Sequence, residues 1–343
     1  MRPLPPTPSP LKWIALVLIA IGLFWQLGPK NEFGPDIPNV HSAVPSEIDA
    51  LEPWLTKQES LVDHLRPGVE KEIVWHTSGH EKTPWSVVYI HGFSASKLET
   101  APLSTELSKA LKANAFLTRL TGHGQAPVDL GKASVQDWMA DINEAIEIGH
   151  ILGDKVLVVS CSTGSTLATW YGLSSNAQKA YAHVFISPNF GPKDKRAEMI
   201  NWPWGQQIAY AVQGESRGEV SIDPRHNLGW TTVYPTKALF PMMALTQRVR
   251  DSDLTQFKQP TLVFYSEKDQ VVDPSLIKKA FTAMPNGANL LFRVDDSESS
   301  NQHVLAGDIY APQSVKPMNE QILKWLATLS VEHSESTSES NNK

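Results

Sequence analysis

The hydrophobic pattern opens with an uncharged apolar run, Trp13 to Trp25, which Gln26 and Leu27 extend to a Gly28-Pro29 stop. It is apolar all round, unlike a helix that lays one face on a core. Arg2, Lys12 and the α-amino group precede it, whereas Lys30 is soon offset by Glu32 and Asp36. This pattern predicts an uncleaved signal anchor over residues 1–30. The N-terminus would stay in the cytoplasm, and everything after residue 30 would pass to the periplasmic or extracellular side, giving a membrane partner through the N-terminal helix. No A-x-A-like site of small residues follows the run. Residues 31–69 read as a linker with short helices. A Pro-rich spacer without periodicity comes first, then a stretch bearing Leu51, Trp54, Leu55, Leu61 and Leu65.

From about residue 70 the pattern alternates between strand and helix, which predicts an α/β fold: a mostly parallel twisted sheet with helices on both faces. The strands are Ile73 to His76, Val87 to Ile90, Ala115 to Leu120, Val156 to Ser160, His183 to Ser187, Thr261 to Ser266 and Asn289 to Val294. Several are continuous apolar runs, as strands covered on both sides require. Helical faces lie between them: Leu103, Leu107, Ala110 and Leu111; Trp138, Ile142, Ala145 and Ile146, opened by Ser134-x-x-Asp137; and Leu276, Ala280, Phe281 and Met284, opened by Asp273-Pro274. A last helix carries Ile322, Leu323, Trp325 and Leu326. The core therefore comprises residues 70–187 and 260–330. Residues 188–259 are too long for one crossover helix and rich in Trp, Tyr, Phe and Met, which predicts a cap, or lid, insertion over the carboxyl ends of the strands. Residues 331–343 are Ser, Glu and Asn, a composition that predicts a disordered tail.

Composition narrows the function. The 343 residues are 41% hydrophobic and 19% charged with a formal charge of -6, so there is no basic excess to bind nucleic acid. One cysteine cannot form an internal disulfide, and no Cys/His spacing resembles a metal site. Neither a metal nor a cofactor is called for, and the oligomeric state is not legible.

The chemistry centres on Ser160-Cys161-Ser162-Thr163-Gly164, where a buried strand runs straight into a helix. A nucleophile on such a turn sits in a strained conformation, and the residues two before and two after it must be small because strand and helix pass close together. Ser160 and Gly164 meet this demand for Ser162, whereas Cys161 would be flanked at the same offsets by β-branched Val159 and Thr163. The helix start aims N–H groups at an oxyanion, Thr163 giving the first donor. Phe93, in the loop after Val87-to-Ile90, offers the second. His91, beside Gly92, reads as a structural residue that holds this loop.

Such a serine needs an imidazole to take its proton and a carboxylate to orient the imidazole. Chain order in this architecture is Ser, then acid, then His. Asp269 lies in the loop after Thr261-to-Ser266 and is the acid expected. Asp273 is better placed as an N-cap, and Glu267 lies too near the strand. His303 lies in a polar loop before the last helix and is the base expected; His333 belongs to the tail.

HGFSAS at 91–96, TGHG at 121–124, Asp137-Trp138-x-x-Asp141, SCSTG at 160–164, EKDQVVDP at 267–274 and His303 together resemble the α/β-hydrolase superfamily, within it the bacterial carboxylesterases and monoacylglycerol lipases. The likeness extends over roughly residues 70 to 330 and implies the α/β-hydrolase fold. It also implies Ser162, Asp269 and His303 as the triad and Phe93 and Thr163 as the oxyanion hole. Ser160 departs from the glycine usual at the elbow's first position. The chain lacks the HGGPG-like loop of proline iminopeptidases, and a serine stands where haloalkane dehalogenases and epoxide hydrolases carry aspartate. The reaction expected is cleavage of a carboxylic ester, with a small-molecule ester or a lipid such as monoacylglycerol or lysophospholipid as substrate. A thioesterase, amidase or peptidase on the same triad, and a silent binding protein of the same fold, stay open as alternatives.

Overall fold

The structure, a computed structural model, describes residues 10–35, 43–218, 221 and 223–340. Its strands are β1 (Glu72–Val74), β2 (Thr83–Ile90), β3 (Asn114–Leu117), β4 (Gly153–Cys161), β5 (Ala182–Ile186), β6 (Ser216–Gly218), β7 (Val233–Pro235), β8 (Thr261–Tyr265) and β9 (Leu290–Arg293). Seven of them form one sheet in the order β1-β3-β2-β4-β5-β8-β9. Every pairing is parallel except β1 with β3 at the edge. The helices are α1 (Pro10–Gln26), α2 (Ile48–Ser60), α3 (Leu103–Leu111), α4 (Pro127–Leu130), α5 (Val135–Leu152), α6 (Thr163–Gly172), α7 (Gly205–Gln213), α8 (His226–Gly229), α9 (Leu239–Arg250), α10 (Pro274–Ala283) and α11 (Val315–Ser340).

Strand alternation sorts the apolar runs into two cores. Val88, Val156, Val158, Phe185 and Val263 face one side, with Trp138 and Ile142 of α5, Leu167 of α6 and Ile277 of α10. Val87, Leu157, Val159, Val184 and Leu262 face the other, with Leu103 and Leu107 of α3 and Ile322, Trp325 and Leu329 of α11. A two-residue side-chain period under continuous apolar sequence produces this division. The local signals act as caps. The Ser134 hydroxyl accepts from Asp137 N–H while Asp137 accepts from Ser134 N–H, and Asp273 accepts from Ser275 N–H at 2.9 Å to start α10.

The inserted region is built of short pieces: β6 paired with β7, then α7, α8 and the start of α9. Ile200, Ala209, Tyr234, Leu239, Phe240 and Met243 form a small core with Leu130 of α4, whereas Leu245 and Val249 further along α9 join the main core. The region is thus part roof and part wall.

The segment before β1 packs closely. Leu51 and Leu55 of α2 enter the main core, and Glu59 accepts from both Nε and Nη2 of Arg119 at 2.8 and 2.7 Å. Burial pushes the Glu59 carboxyl up, but the Arg119 guanidinium overcomes this and holds it below its ordinary value. Further upstream the chain crosses the inserted region. Phe24 stacks on Trp204 with ring centroids 4.7 Å apart, and Trp204 N–H donates to Pro29 O. Buried Asn31 donates to Asn201 Oδ1 and Phe240 O, both at 2.8 Å, and accepts from Gln206 Nε2. On the other flank Arg66 Nη1 donates to Asn227 O and Trp230 O.

The expected membrane anchor is corrected by the length of α1. Among the described residues no helix is long and apolar enough to cross a membrane. The 17 residues of α1 rise about 26 Å, short of the ~30 Å hydrocarbon core. The last turn is engaged by Trp204, which hydropathy along the chain cannot register. The expected single N-terminal span is thus corrected, and the export of the catalytic domain inferred from it loses its basis. At the other end α11 runs to Ser340, where composition predicted no order from 331. Once its first turns are packed through Met318, Ile322 and Trp325, each added residue gains a bond without a new nucleation cost.

Candidate active site

The carboxyl ends of β2, β4, β5 and β8 meet beneath the inserted region around a cavity of about 730 Å³. Ser162, Thr163, Phe93 and His303 all line it. Ser162 directly follows β4 and caps α6 with φ 49° and ψ -116°. For a non-glycine residue this is a strained backbone. Surrounding bonds hold it: Ser162 N–H donates to Ile186 O at 2.9 Å, and Ser162 O accepts from the N–H groups of Ser165, Thr166 and Asn189. Gly164 is indispensable to this crossing, because a Cβ there would lie 2.3 Å from Ile90 O and 2.7 Å from His91 O. At the position where a glycine is usual, the Ser160 hydroxyl meets the Ser165 hydroxyl at 3.0 Å, so the added group is satisfied rather than merely accommodated.

Asp269 follows β8 and is 1% exposed. Its Oδ1 accepts from Val271 and Val272 N–H at 2.7 and 2.9 Å, and its Oδ2 lies 2.8 Å from His303 Nδ1. This geometry leaves the opposite edge of the His303 ring toward the cavity. The imidazole is further positioned through its own backbone: Ser187 Oγ donates to His303 O at 2.6 Å, and His303 N–H donates to Asn301 Oδ1. Glu267 is instead paired with Lys278 at 2.7 Å.

Phe93 and Thr163 approach the cavity from two elements. Among the described residues neither backbone N–H donates to another protein group. Both are thus available to an oxygen at the mouth of the Ser162 turn. His91 has a different task. Leu120 N–H donates to its Nε2 at 3.0 Å, so Nδ1 carries the proton and donates to Gly92 O at 2.8 Å. Burial pushes its pKa down to about 4, which suits a neutral spacer between two loops. His123 is likewise driven well below its ordinary value by burial.

Two contributors had no signal in the sequence pattern. Ser187 supports the His303 loop, and Glu99 lines the cavity behind Gly92. Both act through backbone groups, to which no residue spacing points.

A profile of the hydrolase family described as serine aminopeptidase, S33, matches residues 81–292. The chain belongs to this family. Among curated relatives, the thermostable monoacylglycerol lipase of Bacillus sp. (strain H-257) is 23% identical over 236 residues, which are 69% of this chain and 89% of that one. Among solved structures, a chain from the work on the metagenome-derived lipolytic enzymes LipS and LipT superposes with TM-score 0.60 at 19% identity, covering 77% of this chain and 99% of its own. The monoacylglycerol lipase of Paleococcus ferrophilus does so with TM-score 0.53 at 15% identity, covering 75% and 98%. This family member is therefore an α/β-hydrolase of the lipase and esterase type, with the α1 and α2 segment lying ahead of the matched region.

Proposed function

We propose that this hydrolase cleaves carboxylic esters, lipid-derived ones included, through an acyl-enzyme on Ser162. The observation that carries the reading is the shared cavity: a strained Ser162 and a His303 whose Nδ1 is held 2.8 Å from a buried Asp269 open into one space. His303 takes the Ser162 proton as the hydroxyl attacks the carbonyl. The Phe93 and Thr163 N–H groups hold the oxyanion, and each contributes about 10²–10³-fold in rate. The alcohol leaves with the proton from His303, and water then releases the acid by the same route. No cofactor or metal enters these steps.

The roof supports an apolar acyl chain, since Met199, Ile200, Ile208, Leu239, Met242 and Met243 line the same cavity. The Bacillus relative is a monoacylglycerol lipase, which favours monoacylglycerol among lipid esters. The family description, serine aminopeptidase, favours an amide as the second reading. Labelling of the protein by a fluorophosphonate, lost in Ser162→Ala, tests the acyl-enzyme. A series of p-nitrophenyl esters and monoacylglycerols of rising chain length, set beside aminoacyl p-nitroanilides, then separates ester from amide cleavage. Faster turnover of the anilides would overturn the ester assignment, and indifference to chain length would remove the lipid one.

A further inference from the structure

Glu99 is a fully enclosed carboxyl that the reaction above does not use. It lies in the loop after β2 and is 3% exposed, yet it borders the cavity beside Ser162 and His303. Its Oε2 accepts two hydrogen bonds, from Gly92 N–H and from the Tyr89 hydroxyl, each 2.8 Å long. Gly92 is squeezed between it and the nucleophile: a Cβ there would lie 2.7 Å from Glu99 Oε1 and 3.2 Å from Ser162 Cβ. The ionisable groups that face the carboxyl are Tyr89 from β2, Cys161 from β4 and His303 from the loop after β9. The Glu99 backbone also lies against the segment after His303, since a Cβ on Gly307 would lie 2.7 Å from Glu99 O.

A buried carboxyl is costly unless its partners need it. Here the partner is the peptide immediately before the Phe93 N–H, the donor assigned to the oxyanion hole. Gly92 has no side chain with which to fix its own orientation, so the peptide's direction depends on what its N–H binds. We infer that Glu99 is a positioning residue, which clamps the Gly92 peptide so that the Phe93 N–H points at the developing oxyanion. The carboxyl never touches substrate. Its effect belongs to the transition state, because only the charged oxyanion draws fully on an aligned donor.

The inference rests on the serine-hydrolase reading, and the test separates the two. The full chain and its Glu99→Ala, Glu99→Leu, Glu99→Gln and Ser162→Ala variants are assayed with p-nitrophenyl butyrate, alongside thermal melting and binding of an alkyl trifluoromethyl ketone. Glu99→Ala and Glu99→Leu should lose kcat about 10–100-fold with KM within about two-fold, and ketone affinity should fall in step with kcat. Glu99→Gln, whose amide oxygen still accepts from Gly92 N–H, should recover kcat to within about three-fold. Folded Ala and Leu variants with unchanged kcat would overturn the inference. So would a Gln variant as impaired as Ala, or apolar variants that do not fold beside a fully active Gln variant, which would mark a purely structural role. Full activity in Ser162→Ala would instead bring down the serine-hydrolase reading itself.

Discussion

The floor and the roof of the cavity are held in different ways. On the floor, Ser162 is held by four backbone hydrogen bonds, to β5, to the first turn of α6 and to Asn189, and Asp269 by two from the loop after β8. On the roof, β6 and β7 are three residues each, α7 is nine, and much of the hold comes from outside: Asn31, Pro29 and Phe24 on one flank, Arg66 on the other. A reaction centre tolerates little displacement, because a donor about 1 Å out of place loses most of its effect. A wall that only shapes an apolar chain can be hung from a strap. Chemistry and selectivity should therefore respond to different residues.

Asp269→Ala is the strongest attempt to break this division. It should lower kcat by about 10⁴-fold while KM stays nearly level, and the melting temperature should fall because the Val271 and Val272 N–H groups lose their acceptor. A proportionate rise in KM would show that floor and roof are one unit. Gly164→Val comes next. It drives a side chain into Ile90 O and His91 O, so chemical denaturation should report a loss of about 3 kcal/mol, with activity abolished at assay temperature. Asn31→Ala sharpens the contrast from the other side. Losing its bonds to Asn201 and Phe240 should cut kcat/KM for a decanoyl ester about 5-fold relative to an acetyl ester, with acetyl turnover unchanged. Equal losses on both esters would refute the roof's separate role.

The smallest effect lies beneath the floor. His183 is packed against Phe185 and Phe257, and neither ring nitrogen has a partner among the described residues. Burial pushes its pKa down to about 3, as it pushes His91 to about 4. These groups stay neutral in the folded protein, whereas the unfolded chain protonates them near the ordinary imidazole value of 6.5. The unfolded state then binds more protons. Stability is complete above 6.5 and declines as pH falls toward the folded values, by up to about 1.4 kcal/mol per pH unit for each such histidine. His183→Leu removes two unpartnered nitrogens. It should raise stability by about 1 kcal/mol at neutral pH and flatten this acid slope, as urea titrations at several pH values would record.

Legibility follows the same line. Strands such as β4 and β8 are continuous apolar runs, and the starts of α5 and α10 carry side chains that cap their own backbone, so both were read within a few residues. Asp269 and His303 were paired by chain order, and they are in contact. The roof was legible only as an aromatic-rich interval, because three-residue strands are too short to show a period. The N-terminal run reads as an anchor in sequence although its last turn is engaged by Trp204, some 180 positions away, because a local hydropathy pattern cannot register a distant partner. Glu99 carries no sequence signal for a related reason. Its meaning lies in a backbone N–H, which every sequence supplies.

The sheet order also has a consequence in time. The Ser162 turn is complete once β4 and β5 are made, but Asp269 arrives with β8, and His303 is seated only when Ser187 receives its carbonyl from beyond β9. A chain emerging from synthesis thus carries the Ser162 hydroxyl through more than a hundred further residues before His303 follows. These joints span long stretches of sequence and close slowly, after the local helices have formed. Hydrolytic competence should therefore appear late in the birth of the molecule, when the C-terminal segment folds back across a floor laid down long before.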